Sequence, residues 1–215
     1  MKSNSNLRSE FTRRDHVLEI FSAILLSLTT VASSWSAYQA TRWSGVQATS
    51  FSEAGSLRTK AAQLTTEGAQ KVGIDVAMFI QFVEAYSNRD TLVFEFLLQR
   101  FRPEFKKVVD EWIALRPLQN PDAPPSPFAL EGYSVAELRE ARRLNEEADG
   151  SFERAKQANQ TGDNYILLTV VFASVLFFSG IATKFEAFYL RVVMISLGGV
   201  VFLAAAVVLS RFPVH

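Results

Sequence analysis

Three long apolar stretches constrain this chain more than any other feature. They read VLEIFSAILLSLTTVASSWSA (17–37), YILLTVVFASVLFFSGIAT (165–183) and VVMISLGGVVFLAAAVVL (192–209). A helix of about 20 apolar residues crosses a bilayer core, so each stretch can span one. In lipid the backbone must satisfy its own hydrogen bonds, which continuous helices do and isolated strands do not. The predicted fold class is therefore all-α, with three transmembrane helices. The first stretch also has features of a secretory signal, with Arg13 and Arg14 ahead of it and Thr30, Val31 and Ala32 as a small-residue site. Its apolar run and preceding tail are both too long for that, so a retained helix is expected.

Composition removes several function classes. Lys plus Arg and Asp plus Glu stand at 22 each, so no whole-chain basic field exists to attract nucleic acid. The absence of cysteine excludes disulfides, thiolate zinc sites and cysteine nucleophiles. His16 and His215 are the only histidines, too few for an imidazole metal cluster, and no metal or cofactor is expected. No Gly-rich phosphate loop follows a strand, and no serine has a companion histidine in the central segment. The carboxylate pairs Asp110–Glu111 and Glu146–Glu147 are adjacent, so on a helix they face different ways. Arg139, Arg142 and Arg143 interleave with Glu137, Glu140 and Glu146 as exposed ion pairs do. No catalytic residue and no small-molecule substrate emerge, which predicts a protein without enzymatic activity.

Basic residues set the orientation. Lys2, Arg8, Arg13 and Arg14 precede the first span, and Lys184 with Arg191 occupies the turn between the second and third. Both places should be cytoplasmic, leaving 38–164 and the tail 210–215 outside. Trp35, Tyr38 and Trp43 mark the outer interfacial belt, with Arg13 and Arg14 anchoring the inner one. Glu19 lies just inside the first span, at the level of Lys184 and Arg191. The expected role is an interfacial ion pair, since only Ser and Thr lie deeper to extend a relay.

Small residues then define two rods. Ala23, Ser27, Thr30, Ser34, Ala37, Thr41, Ser44 and Ala48 recur at alternating spacings of four and three, unbroken across the expected membrane boundary. Ser50, Ala54, Leu57, Ala61, Leu64 and Gly68 continue on a shifted face. The returning segment opens at Ser134 and Glu137, a capping-box pair. It carries Ala141, Leu144, Ala148, Ser151, Ala155, Ala158, Gly162, Tyr165 and Thr169 at the same spacing. Small seams permit close backbone approach, so the rods should pair antiparallel, Ala48 near Ala155 and Ala61 near Ala141. The same seam could equally serve a second chain.

Between the rods lies a Phe-rich stretch expected to form three short amphipathic helices. Their apolar sets are Val72, Val76, Phe79, Ile80 and Val83, then Val93, Phe94, Leu97, Leu98 and Phe101, then Phe105, Val108, Val109, Trp112 and Ile113. Five prolines in RPLQNPDAPPSPFALEGY predict an extended connector. The expected order is a tail (1–16), first span (17–37), outgoing stalk (38–71), helical tip (72–116) and connector (117–133). A return stalk (134–164), second span (165–183), turn (184–191), third span (192–209) and outer tail (210–215) follow.

The pattern W-x-A-Y-Q-A-x-R from Trp35 to Arg42, together with GDNYILLTVVFASVLFFSGIATKF and a final span, resembles a group of bacterial inner-membrane proteins gathered under a domain of unknown function. The resemblance covers the two ends of the chain and implies location and topology, without chemistry. The functional expectation is a helical scaffold or accessory subunit presenting a stalk and tip for protein assembly. Its expected partners are membrane lipid and either further copies of itself or a larger membrane complex. The alternative is an oligomeric pore or transport accessory built on the small-residue transmembrane faces.

Overall fold

A computed structural model describes residues 2–117 and 119–215, with side chains from His16 onward. Arg13 and Arg14, the expected inner anchors, lie outside the described side chains. The described chain is all-helical: α1 (Lys2–Ser87), α2 (Thr91–Leu98), α3 (Pro103–Ala114), α4 (Ala136–Ala182) and α5 (Phe188–Leu209), with a 3-10 turn at Pro127–Ala129. Three of these helices, α1, α4 and α5, are long and apolar enough to cross a membrane. The chain forms two compact units. The first holds the residues up to Phe51 together with Phe152–His215, and the second holds Ser52–Ser151.

No proline occurs before Pro103, and α1 has no break at 37/38 or at 71/72. Only two short helices follow it, where three were expected; the last turns of α1 take the place of the first. Helix α1 ends where Arg89 adopts φ 58 and the Asp90 N–H donates back to the Ala85 carbonyl (2.9 Å), a Schellman-type closure. Asp90 then caps α2, accepting from the Val93 N–H at 3.1 Å. Pro103 opens α3, its missing N–H costing nothing at a first-turn position. The expected capping box at the start of α4 takes another form. Ser134 accepts from Arg139 at 3.1 Å and Glu137 pairs with Lys71, while the first helical N–H groups reach the Val135 carbonyl.

In the first unit α4 runs antiparallel to α1, and α5 packs against both. Leu168, Phe172 and Ala205 form the buried cluster, joined by Ala32, Phe202, Leu209 and Phe212. Near the other end of the spans the Ser22 hydroxyl donates to the Ser179 carbonyl at 3.3 Å. A Cβ on Gly198 would lie 3.1 Å from Ser179 Oγ and 3.7 Å from Leu25, so glycine there lets three helices meet.

The second unit has an aromatic core. Phe79, Phe82, Leu97, Phe101, Phe105 and Val109 are buried, with Trp112, Phe128 and Tyr133 packed on them. Phe105 stacks on Phe128 at 5.1 Å, and Phe79 meets Trp112 edge-on at 5.3 Å, both favourable ring geometries. The proline-rich segment is therefore more than a connector. Pro127 is buried, Phe128 enters the core, and the Trp112 indole N–H donates to the Pro124 carbonyl at 2.8 Å. The expected face of α1 is rotated: Phe79 is buried as foreseen, but Val76, Ile80 and Val83 are exposed while Asp75, Phe82 and Ala85 turn inward.

Candidate functional site

The expected packing residues differ in burial between the two helices. On α4, Ala148, Ser151, Ala155, Ala158 and Gly162 are all buried, as are Ala141, Leu144 and Tyr165; beyond them Leu168 takes the buried position expected of Thr169. On α1 the buried line in the first unit is Ser22, Leu25, Thr29, Ser36, Gln39, Ala40 and Ser50. Ala37, Thr41, Ser44 and Ala48 are exposed, as are Ala23, Ser27, Thr30 and Ser34. The predicted seam of α1 is thus off by about one residue, a rotation of about 100°. A Cβ on Gly162 would sit 3.6 Å from the Ala40 carbonyl oxygen and 3.7 Å from Trp43 Cβ, which fixes the face α4 meets. In the second unit Ala54 and Ala61 are buried, and Ala61 shares a cluster with Ala141 and Leu144.

A reason for the rotation lies in Gln39. Its side chain is fully buried, and an amide there needs partners for both ends. It has them: Oε1 accepts from the His215 N–H at 3.0 Å and Nε2 donates to the His215 carbonyl at 3.4 Å. The same tail segment is held by the Trp43 indole and the Tyr165 hydroxyl, both donating to the Pro213 carbonyl at 3.1 and 3.2 Å. Arg42 lies 3.4 Å from His215 Nδ1, and the Trp43 ring meets the His215 ring edge-on. Of the expected belt aromatics, Trp43 is therefore a tail clamp, whereas Trp35 and Tyr38 are exposed and touch each other at 5.8 Å. The sequence offered one signal for this clasp, a polar Gln39 inside a small-residue line.

The expected ion pair of Glu19 with Lys184 and Arg191 takes a different shape. Glu19 is exposed and sits 3.6 Å from His16, one turn back on its own helix. A neighbour at i−3 is reached without crossing to another helix, so the local contact replaces the predicted one. Lys184 is exposed and Arg191 half-buried.

A charged network in the second unit escaped the sequence reading. Asp75, 2% exposed, receives the Arg102 Nε–H at 2.8 and 3.0 Å and the Tyr133 hydroxyl at 3.0 Å. It joins α1 to the start of α3 and to the turn before α4. The hydrogen bond to Asp75 raises the Arg102 pKa, so the guanidinium stays charged. Burial and the neighbouring Asp75 charge push Tyr133 up to about 12, so its hydroxyl remains a donor. Beside it, Lys71 holds the Glu137 carboxyl below its ordinary value. Every acceptor oxygen of Asp75 is occupied, an arrangement that braces helices and leaves no free base.

Two apolar hollows flank Val83 and Tyr86 in the same unit. One, of 380 Å³, is walled by Phe82, Trp112 and Ile113 with Arg116; the other, of 710 Å³, is bordered by Arg89, Asp90 and Phe94. Comparison with protein families, curated proteins and solved structures finds no match to the chain.

Proposed function

We propose that the chain is a non-enzymatic membrane scaffold or accessory subunit that assembles with copies of itself through the open face of α1. The observation that carries this reading is the line Ala23, Ser27, Thr30, Ser34, Ala37, Thr41, Ser44 and Ala48, exposed beside the line that α4 covers. Small side chains let helices in lipid approach closely, and packing is the main gain available there. The hydroxyls of Ser27, Thr30 and Thr41 donate to carbonyls four residues back, at 2.8, 2.8 and 3.1 Å. Those hydroxyl protons are committed to the helix's own backbone, which favours helix packing over the lining of a water-filled pore. Replacing Ser34 and Ala37 together by Trp is expected to reduce the protein to single chains in native mass spectra from nanodiscs. A wild-type protein that is monomeric at high loading overturns the reading.

We infer a bacterial inner-membrane location with the N-terminal segment inside and both the central segment and the tail outside. The resemblance at Trp35–Arg42 and the basic residues Lys184 and Arg191 support it. The tail clasp adds support, since it gathers residues just after the first span, at the start of the second and after the third at one level. Reporters fused after Ser5, Asn120 and His215 are expected to read inside, outside and outside. An outside signal from the first position contradicts the assignment.

A further inference from the structure

Among the described residues, Arg89 (φ 58) and Arg116 (φ 50) are the only non-glycine residues with left-handed backbone. Both follow helix ends: Arg89 closes α1, and the Arg116 N–H returns to the Ile113 carbonyl at 3.0 Å after α3. Glycine is favoured at such a position because a Cβ crowds the following carbonyl. Here each position carries a long cation, and each cation borders one of the two hollows that share Val83 and Tyr86. A strained backbone that places a particular side chain at a cavity points from geometry to function.

The two hollows differ in charge. Beside Arg89 stands Asp90, already engaged as the cap of α2, so that hollow has no net charge. In the other, Arg116 is the only charged residue of the wall, and its guanidinium makes no ion pair among the described residues. Its 380 Å³ falls in the range of small-ligand sites, about 300–1,000 Å³. The remaining wall is largely apolar. The Trp112 indole N–H is committed to Pro124, so that ring offers its apolar surface alone. Among the described wall residues, Gln119 and Tyr86 are the only others with a polar side-chain group left for a ligand. An extended peptide would bring several amides into this space without partners, at a desolvation cost, whereas an aliphatic chain brings none.

We propose that this cavity binds a single-chain anionic amphiphile, with its aliphatic chain between Val83, Tyr86 and the Trp112–Ile113 wall and its carboxylate on Arg116. The site is independent of self-association through α1. It also supplies a ligand class where the sequence offered no small molecule.

The test uses the full chain in zwitterionic nanodiscs and a myristate analogue carrying a photoreactive diazirine on its chain. Labelled positions are mapped by peptide mass spectrometry, with labelling of the spans as internal reference. Label is expected to concentrate on Val83, Tyr86 and Ile113. Arg116→Gly should reduce it about tenfold, the value of one charge-assisted contact. The same variant should hold or raise the melting temperature, because glycine relaxes the left-handed turn. Arg116→Lys should retain most of the label, and an alkylamine analogue of equal chain length should label about tenfold less than the carboxylate. Absence of groove labelling above the surrounding surface overturns the proposal, as does labelling indifferent to Arg116→Gly or to head-group charge. A loss of label in Arg116→Gly accompanied by a lowered melting temperature also overturns it, since Arg116 would then be structural.

Discussion

Replacing Asp75 by Ala is expected to destabilise the second unit by about 3–5 kcal/mol, the usual cost of removing one partner from a buried, hydrogen-bonded ion pair. Asp75 is 2% exposed and answers both the Arg102 guanidinium and the Tyr133 hydroxyl. Its loss leaves the Arg102 cation, only 22% exposed, with the longer 3.5 Å contact to Glu104 alone, and the Tyr133 hydroxyl without its acceptor. Tyr133→Phe removes one donor to the carboxylate and should cost about 1.5 kcal/mol, the low end for a hydrogen bond to a charged acceptor. Asp90→Ala, which removes the side-chain cap of α2 at the surface, should cost about 1 kcal/mol. Urea unfolding followed through Trp112, which packs on the same core, reads all three. A cost for Asp75→Ala no greater than that of Asp90→Ala would show that the network is solvated and does not brace the helices.

That network also shows where sequence reasoning stops. Long-range pairing was legible wherever local periodicity carried it: the three apolar helices, the antiparallel match of Ala61 with Ala141, and the buried line from Ala141 to Tyr165. On α1 the periodicity was ambiguous. Two neighbouring lines both consist mainly of Ala, Ser and Thr, so small size alone could not choose between them. The choice rests on Gln39, which needs the His215 backbone, and on Leu25, which packs beside Gly198; both are tertiary facts. Asp75 has no local partner that would mark it as part of a network. Its partners stand 27 and 58 positions away, on segments whose placement no local pattern encodes. The left-handed arginines were equally hidden, because the residue type favoured there is glycine.

Gly68→Val is expected to force α1 and α4 apart within the second unit, costing about 3 kcal/mol, at the upper end for overpacking a tight contact. A Cβ at Gly68 would fall 2.7 Å from both Cγ and Cδ2 of Leu138 and 3.3 Å from the Leu138 backbone N. Moving the Leu138 side chain cannot relieve the contact with its own backbone, so a helix must shift. Other glycines of α1 make the comparison sharp. Gly55 has open space where a Cβ would go, and Gly55→Ala should stabilise by about 1 kcal/mol through helix propensity alone. The same gain acts on Gly68→Ala, so its net cost reports the clash less the propensity gain. Adding Leu138→Ala to Gly68→Ala should recover most of the loss, because the two side chains compete for one space. The coupling in that double-mutant cycle should reach about 1–2 kcal/mol. Should Gly68→Ala and Gly55→Ala stabilise alike, α1 and α4 do not approach closely at this point, and the antiparallel pairing of the second unit would need another register.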